Sequence, residues 1–355
     1  MRLPGLEARE ESPAERLAAA PLAPLALAFG AGARLRRALH RRGLLRAQRL
    51  PCRVVCVGSL LVGGSGKTPA AAWLATGLAR RGQRVAIASR GHGGRRGGDP
   101  VVVSDGRRVL ASGAAAGDEA QLLAAHAPGV PVLVARDRAR AGLRALSLFG
   151  AEILVLDDGF QHHRLRRDLD LVLLDAGIGF GNRRVLPRGP LREPVSAVRW
   201  AHAVGVVDGE LRPEEEALLA RFAPGAFRFR AARRAHALRP LAGGPAQAPG
   251  WLRGRAVGML AGIARPASLR RTLEALGARV VAERRFRDHH RYAAADVAGL
   301  AGLAPLWITT EKDAPKIHPA WVGGADVRAL AIELEVEAEV AVLDWIEVRL
   351  RERAR

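Results

Sequence analysis

The run Val57-Gly58-Ser59-Leu60-Leu61-Val62-Gly63-Gly64-Ser65-Gly66-Lys67-Thr68 constrains this chain more than any other feature. It sits between an apolar strand pattern, Val54 to Val57, and a helical pattern opened by Pro69. Glycines let successive backbone N–H groups turn inward around phosphate oxygens, and a helix N-terminus favours an anion. In that frame Lys67 reaches the β- and γ-phosphates and Thr68 ligates Mg²⁺. The strict eight-residue phosphate-loop pattern asks for glycine where Leu61 stands. The strand–loop–helix context still predicts a nucleotide site of Gly63, Gly64, Ser65, Gly66, Lys67 and Thr68, with ATP and Mg²⁺ bound there.

Such a loop needs a parallel sheet to carry it. Short apolar runs at Val54 to Val57, Val85 to Ala88, Val130 to Ala135, Ile153 to Leu156, Leu171 to Leu174 and Ala203 to Val207 read as buried strands. Helical patterns alternate with them at Pro69 to Arg81, Glu119 to Ala127, Ala139 to Phe149 and Pro213 to Phe222. The alternation predicts an α/β fold, a P-loop NTPase-like parallel sheet with helices on both faces. A smaller α/β unit follows: strand Ala256 to Leu260, helix Pro266 to Leu276, strand Val280 to Glu283, helix Ala293 to Leu303 and strand Leu306 to Thr309. Leu238 to Gly250, rich in Pro, Gly and Ala, reads as a loop near a boundary. Phe227 to Arg230 and Ala331 to Val336 alternate apolar with charged residues and are expected to pair as a two-stranded linker. The expected division is an N-terminal segment 1–50, a kinase-like domain 51–225, a second domain with linker strands 226–337, and a C-terminal helix 338–355.

A second chemical signal is Glu152-Ile153-Leu154-Val155-Leu156-Asp157-Asp158-Gly159, an apolar strand ending in two carboxylates. In a parallel sheet that strand end lies at the same edge as the phosphate loop, where Asp157 or Asp158 can bind Mg²⁺ or its waters. Three more clusters supply the types that phosphoryl transfer to an alcohol requires, namely a base, cations and metal ligands. They are Gly117-Asp118-Glu119 before a helix, where an acid can equally be an N-cap; Arg136, Arg138 and Arg140 after a strand end; and Arg287-Asp288-His289-His290 in the second domain.

Composition sets the partners. The formal charge of +21 suits an anionic partner, nearly all of it arginine, since the lysines are Lys67, Lys312 and Lys316. Aromatic residues make up only 4% and are scattered, so the stacking platforms of a nucleic-acid binder are missing. The two cysteines, Cys52 and Cys56, share one strand pattern and predict neither a disulfide framework nor a metal site. Leu17 to Ala33 carries no charge but contains Pro21 and Pro24 and falls short of the ~18 to 20 apolar residues of a spanning helix. Arg34, Arg36, Arg37, Arg41 and Arg42 follow it at once. That pairing reads as an interfacial segment on an anionic leaflet, with an ordinary core helix bearing a basic face as the alternative.

The runs Val62 to Pro69, Ser89-Arg90-Gly91, Gly117-Asp118-Glu119, Asp157-Asp158-Gly159-Phe160-Gln161-His162 and Leu186-Pro187-Arg188-Gly189-Pro190-Leu191-Arg192-Glu193-Pro194 occur in order. They continue with Ala261 to Pro266, Asp288-His289-His290 and Thr309-Thr310-Glu311-Lys312-Asp313. Together they resemble the tetraacyldisaccharide 4'-kinase family. The resemblance implies transfer of the ATP γ-phosphate to the 4'-hydroxyl of a lipid A disaccharide 1-phosphate precursor, on the cytoplasmic face of the bacterial inner membrane. It implies Asp118 as general base, His289 as its hydrogen-bonding partner, and Lys67 and Thr68 in the phosphate loop. Asp157, Asp158 and Gln161 then belong to the Mg²⁺ and nucleotide site, and Arg138, Arg192 and Glu193 are further residues needed for activity, the last two toward substrate. This chain departs from the family pattern at His92, where tyrosine is usual, and at Arg188, where a small residue is common.

Two other classes share part of this pattern. A membrane-surface ATPase switch of the partition type carries a second lysine just before its paired glycines, where this chain has Val62. A P-loop kinase with a soluble acceptor fits the loop but leaves the N-terminal apolar and basic segment without a purpose. No nucleic acid and no obligate protein partner is expected.

Overall fold

The computed structural model describes residues 12–352 apart from 64, 92, 93 and 95–97. Gly64 and His92 therefore lie outside the described residues. The chain divides into two compact units, one of residues 1–232 and 334–355 and one of 233–333.

The first unit opens with helix α1 (Pro13–Ala18), a 3-10 turn at Ala20–Leu22 and helix α2 (Ala23–Arg41). The two prolines divide the uncharged stretch: Pro21 sits in the 3-10 turn and Pro24 in the first turn of α2, where its missing N–H costs no helical bond. Then come β1 (Arg53–Gly58), α3 (Lys67–Arg80), β2 (Val85–Ser89), β3 (Val101–Asp105), α4 (Gly113–Ala116), α5 (Asp118–His126), β4 (Pro131–Val134) and α6 (Arg138–Phe149). β5 (Ile153–Asp157), β6 (Leu169–Asp175), β7 (Ala203–Val207), α7 (Pro213–Phe222) and the start of β8 (Phe227–Pro240) complete the sheet. Its order is β8-β7-β6-β1-β5-β2-β4-β3. The pairings are parallel except for β3, which joins β4 antiparallel at the edge.

Two apolar layers cover the sheet, as a mostly parallel sheet requires. On one face Val55, Val57, Val155 and Leu171 pack with Ala71, Leu74 and Leu78 of α3; on the other, Val54, Cys56, Leu154 and Leu156 pack with Ala141 and Ala145 of α6. The C-terminal helix α9 (Glu339–Glu352) joins the first layer through Val342, Leu343, Ile346 and Leu350, so the chain's end belongs to the phosphate-loop unit. Arg81 of the α3 C-terminus pairs with Asp344 at 2.6 Å.

The second unit contains the rest of β8, then β9 (Ala256–Ala261), α8 (Pro266–Ala275), β10 (Arg279–Arg285), β11 (Leu306–Thr310) and most of β12 (Asp326–Val336). Strand order runs β10-β9-β11-β12, all parallel, and β12 neighbours β8. These two strands carry the chain from one unit to the other. Two expectations need correction. The helix expected over Ala293 to Leu303 is two 3-10 turns, Ala294–Val297 and Leu300–Gly302, separated by Gly299 at φ +70°, which a continuing α-helix cannot contain. The loop expected from Leu238 begins later, because β8 runs on to Pro240 and Leu238 is bridged to Gln247.

Candidate active site

Parallel pairing of β1 with β5 puts Val57 beside Asp157, so the phosphate loop and the acidic strand end leave the sheet side by side. The loop turns through Gly63 (φ +104°) and Gly66 (φ +80°), values open to glycine and strained for a side chain. Gly66 caps α3, whose first residues are Lys67 and Thr68. The Lys67 ammonium curls back to donate to the Gly63 carbonyl at 2.9 Å and lies 3.9 Å from Asp158. Burial pulls its pKa below the ordinary lysine value, with Asp158 opposing. A compact, partly desolvated cation at that point is suited to phosphate oxygens.

Thr68 Oγ1 donates to Asp157 Oδ2 at 3.2 Å. The other carboxylate oxygen of Asp157 is buried with no hydrogen-bond partner. Burial, then the charges of Asp158 and Glu119, push this carboxyl up to about 7. An unpartnered carboxylate oxygen beside a threonine hydroxyl, at the mouth of a phosphate loop, fits a hard divalent cation with oxygen ligands. Thr68 and Asp157 are the residues that would hold Mg²⁺. Among the described residues no group of three or more His, Cys, Asp or Glu side chains gathers as a metal site, so phosphate oxygens and water would supply the remaining ligands.

Asp158 faces cations. At φ +53° its carboxylate turns toward Arg192, whose Nη1 donates to both oxygens at 2.9 and 2.8 Å. Burial pushes this acid up, but Lys67 and Arg192 outweigh it and hold it below the ordinary aspartate value. Gln161 ties the pieces together: its Nε2 donates to the Ser59 carbonyl at 3.0 Å, and its Oε1 accepts from Arg192 at 3.4 Å.

Of the three arginines after β4, only Arg138 turns inward. It is 6% exposed, its Nε has no partner, and the charges of Arg90, Asp158 and Asp157 act on it. Arg140 pairs outward with Asp99 at 2.6 Å. Glu193 is buried, and its carboxylate is taken by Arg37 of α2, with Nε at 3.1 Å and a second contact from Nη2, and by His163 Nε2 at 3.3 Å. Arg37 also lies over the Phe160 ring, 4.7 Å from its centroid. It thus touches both the Asp157 to His162 run and the Leu186 to Pro194 run. Nothing in the sequence separates Arg37 from its four neighbouring arginines, because only the fold buries it.

Asp118 is the first residue of α5, and the cap position belongs to Gly117. The N-cap position expected for an acid here is therefore filled by Gly117, and Asp118 is half-buried in the first turn. In the second unit His289 is exposed, at φ +58°, with its backbone N–H donating to the Gly262 carbonyl at 3.1 Å. Its neighbour His290 is bound structurally, through Nε2 to Asp296 at 2.9 Å and by stacking on Phe286.

The chain is similar to known proteins over nearly its whole length. The family model for tetraacyldisaccharide-1-P 4'-kinase matches residues 18–351. A tetraacyldisaccharide 4'-kinase of Anaeromyxobacter dehalogenans strain 2CP-C is 48% identical over 348 residues, covering 94% of this chain and 91% of that protein. One from Syntrophus aciditrophicus is 40% identical over 353 residues, covering 93% of each. The crystal structure of LpxK from Aquifex aeolicus in complex with ATP superposes with a TM-score of 0.76 at 32% identity, covering 94% of this chain and 99% of that one. The chain belongs to the tetraacyldisaccharide 4'-kinase family.

Proposed function

We propose that this protein transfers the γ-phosphate of ATP to the 4'-hydroxyl of a tetraacyldisaccharide 1-phosphate, a lipid A precursor. The observation that carries this reading is the joint of Thr68 and Asp157 at the mouth of the phosphate loop, in a chain that matches a 4'-kinase family over nearly its whole length. Mg²⁺ held by Thr68, Asp157 and the nucleotide would neutralise charge on the β- and γ-phosphates. Lys67 and Arg138 supply further cations, and Asp158 holds Lys67 and Arg192 in place. Asp118 takes the proton from the acceptor hydroxyl, and His289 serves the same step. Arg192 and Glu193 shape the acceptor side.

The acceptor is lipid, and the outer face of α2 supports docking on an anionic membrane surface. Leu25, Leu27 and Leu35 are exposed by 59% or more, and Phe29 by 43%, with the arginine cluster around and after Leu35. No described helix is long and apolar enough to cross a membrane; the reading places α2 in the interface, at the cytoplasmic face. The deciding experiment offers Mg²⁺-ATP with the disaccharide 1-phosphate in micelles, and in parallel with unacylated glucosamine disaccharides. Turnover with the acylated acceptor alone is expected; equal turnover with the soluble sugar would replace this reading by a soluble-acceptor kinase.

A further inference from the structure

Three runs that lie far apart in the sequence, Ala261 to Pro266, Asp288 to His290 and Thr309 to Asp313, meet in the second unit. Parallel pairing of β9 with β11 makes Gly262 and Thr310 leave the sheet at one edge. We infer that Asp313 is a positioning residue for the transfer step, fixing the backbone of His289 through Gly262. The inference rests on the reading above that His289 serves that step, and it gives the Thr309 to Asp313 run a part in it.

Asp313 is fully buried, a costly place for a carboxylate unless its oxygens are bonded. Its Oδ2 accepts from the Gly262 N–H at 2.8 Å and from Thr310 Oγ1 at 2.9 Å, and its Oδ1 lies 3.5 Å from Lys316 Nζ. Gly262 passes the constraint on, since its carbonyl accepts from the His289 N–H at 3.1 Å. The Phe286 N–H donates in the same way to the Ala261 carbonyl at 2.9 Å, so the segment that carries His289 is laid along the end of β9. Only a glycine allows so close an approach. A Cβ at Gly262 would stand 3.0 Å from the Tyr292 hydroxyl oxygen, 3.1 Å from Asp313 Oδ1 and 3.2 Å from His290 Cβ.

At φ +58° the His289 backbone occupies a sparsely populated region that the surrounding structure has to enforce. The enforcement comes from both sides. Asp313 and Gly262 hold its N–H, and the residue after it, His290, is locked by Nε2 on Asp296 at 2.9 Å. The His290 ring also stacks on Phe286 with centroids 4.5 Å apart and stands edge-on to Tyr292 at 5.0 Å. Loss of Asp313 would release the first of these holds and let the backbone relax toward an ordinary φ. A misplacement of about 1 Å in a group that serves the reaction can cost on the order of 10²-fold in rate. A buried acid that merely clipped two loops together would act the same way whichever residue stood at 289.

The test measures transfer from radiolabelled Mg²⁺-ATP to the disaccharide 1-phosphate in micelles, with the full chain in wild-type and His289→Ala backgrounds. Asp313→Ala should lower kcat by on the order of 10- to 100-fold in the wild-type background and leave the KM for ATP nearly unchanged. It should cost little more once His289 is alanine, because residues acting through one group are not additive. Asp313→Asn, which keeps an acceptor for the Gly262 N–H, should recover most of the rate. Hydrogen exchange at the His289 amide should quicken in Asp313→Ala and not in Asp313→Asn. Equal rate losses in both backgrounds would reduce Asp313 to a structural clip and overturn the inference, as would an asparagine variant as slow as the alanine one. A slow His289→Ala beside an Asp313→Ala of wild-type rate would overturn the role of Asp313 alone; a His289→Ala of wild-type rate would remove the His289 reading and the role of Asp313 with it. Should Asp313→Ala fail to fold, Gly262→Ala takes its place, since its methyl presses on Tyr292, Asp313 and His290 without removing a hydrogen bond. Its rate loss should vanish in the His289→Ala background, and persistence there would overturn the inference.

Discussion

Thr68 Oγ1 stands 3.2 Å from Asp157 Oδ2, joining the first turn of α3 to the end of the neighbouring strand β5. The contact leaves one buried oxygen of Asp157 without a partner, which defines where a divalent cation would sit. Thr68→Ala and Lys67→Ala should each lower turnover by on the order of a hundredfold or more, since each removes a charge-stabilising group at the transferring phosphate. Single-turnover assays with radiolabelled ATP check this; near wild-type rates in both variants would remove the phosphate loop from the reaction.

Asp157 also sets a dependence on pH. Its carboxyl is pushed up to about 7 in the folded chain, against about 3.9 when unfolded. The folded state therefore binds this proton more tightly, and the stabilisation is complete below pH ~4 and lost as pH rises through ~7. Without metal, the thermal midpoint should fall between pH ~5 and ~8. Asp157→Asn should flatten that fall, raise metal-free stability at neutral pH and abolish turnover. A variant no more stable than wild type at neutral pH would show that burial does not strain this carboxylate.

Arg37 and Glu193 form a buried pair whose members lie 156 residues apart, one on α2 and one beside the Arg192 that holds Asp158. Removing one partner of such a pair typically costs about 3 to 5 kcal/mol, because the other charge is left buried. Arg37→Met should therefore destabilise strongly. Arg37→Met/Glu193→Gln should cost less than the sum of the single changes. Denaturant titration of the four proteins gives the coupling, and additive losses would show that the pair does not key α2 to the site.

Much of this was legible in sequence for a physical reason. Interior strands of a parallel sheet are apolar on both faces, so Ala203 to Val207 and Ile153 to Leu156 stood out. The edge strand β3 did not, being short, antiparallel and half polar at Ser104 and Asp105. Among residues read from local chemistry, Thr68 meets Asp157, and Lys67 lies 3.9 Å from Asp158. The roles of Arg37, His163 and Ser59 did not show because they arise from contacts across 30 to 156 positions. No local pattern encodes such contacts.

Asp118 and His289 are expected to serve one chemical step. Asp118→Asn should lower turnover by on the order of 10² to 10⁴ while leaving ATP affinity nearly unchanged. Gly117 occupies the cap position, so the substitution leaves the cap residue unchanged. The double variant with His289→Ala should be barely slower than Asp118→Asn alone, because residues acting as a unit are not additive. Multiplying losses would mean two separate roles.

The most direct measurement is the position of the new phosphate. Wild-type protein with Mg²⁺-ATP and the tetraacyldisaccharide 1-phosphate should yield one product, with proton–phosphorus correlation placing a second phosphomonoester on the 4'-carbon. Lys67→Ala should yield none. A phosphate found at any other position, or ATP consumed with only inorganic phosphate released, would contradict assignment of this chain as a 4'-kinase.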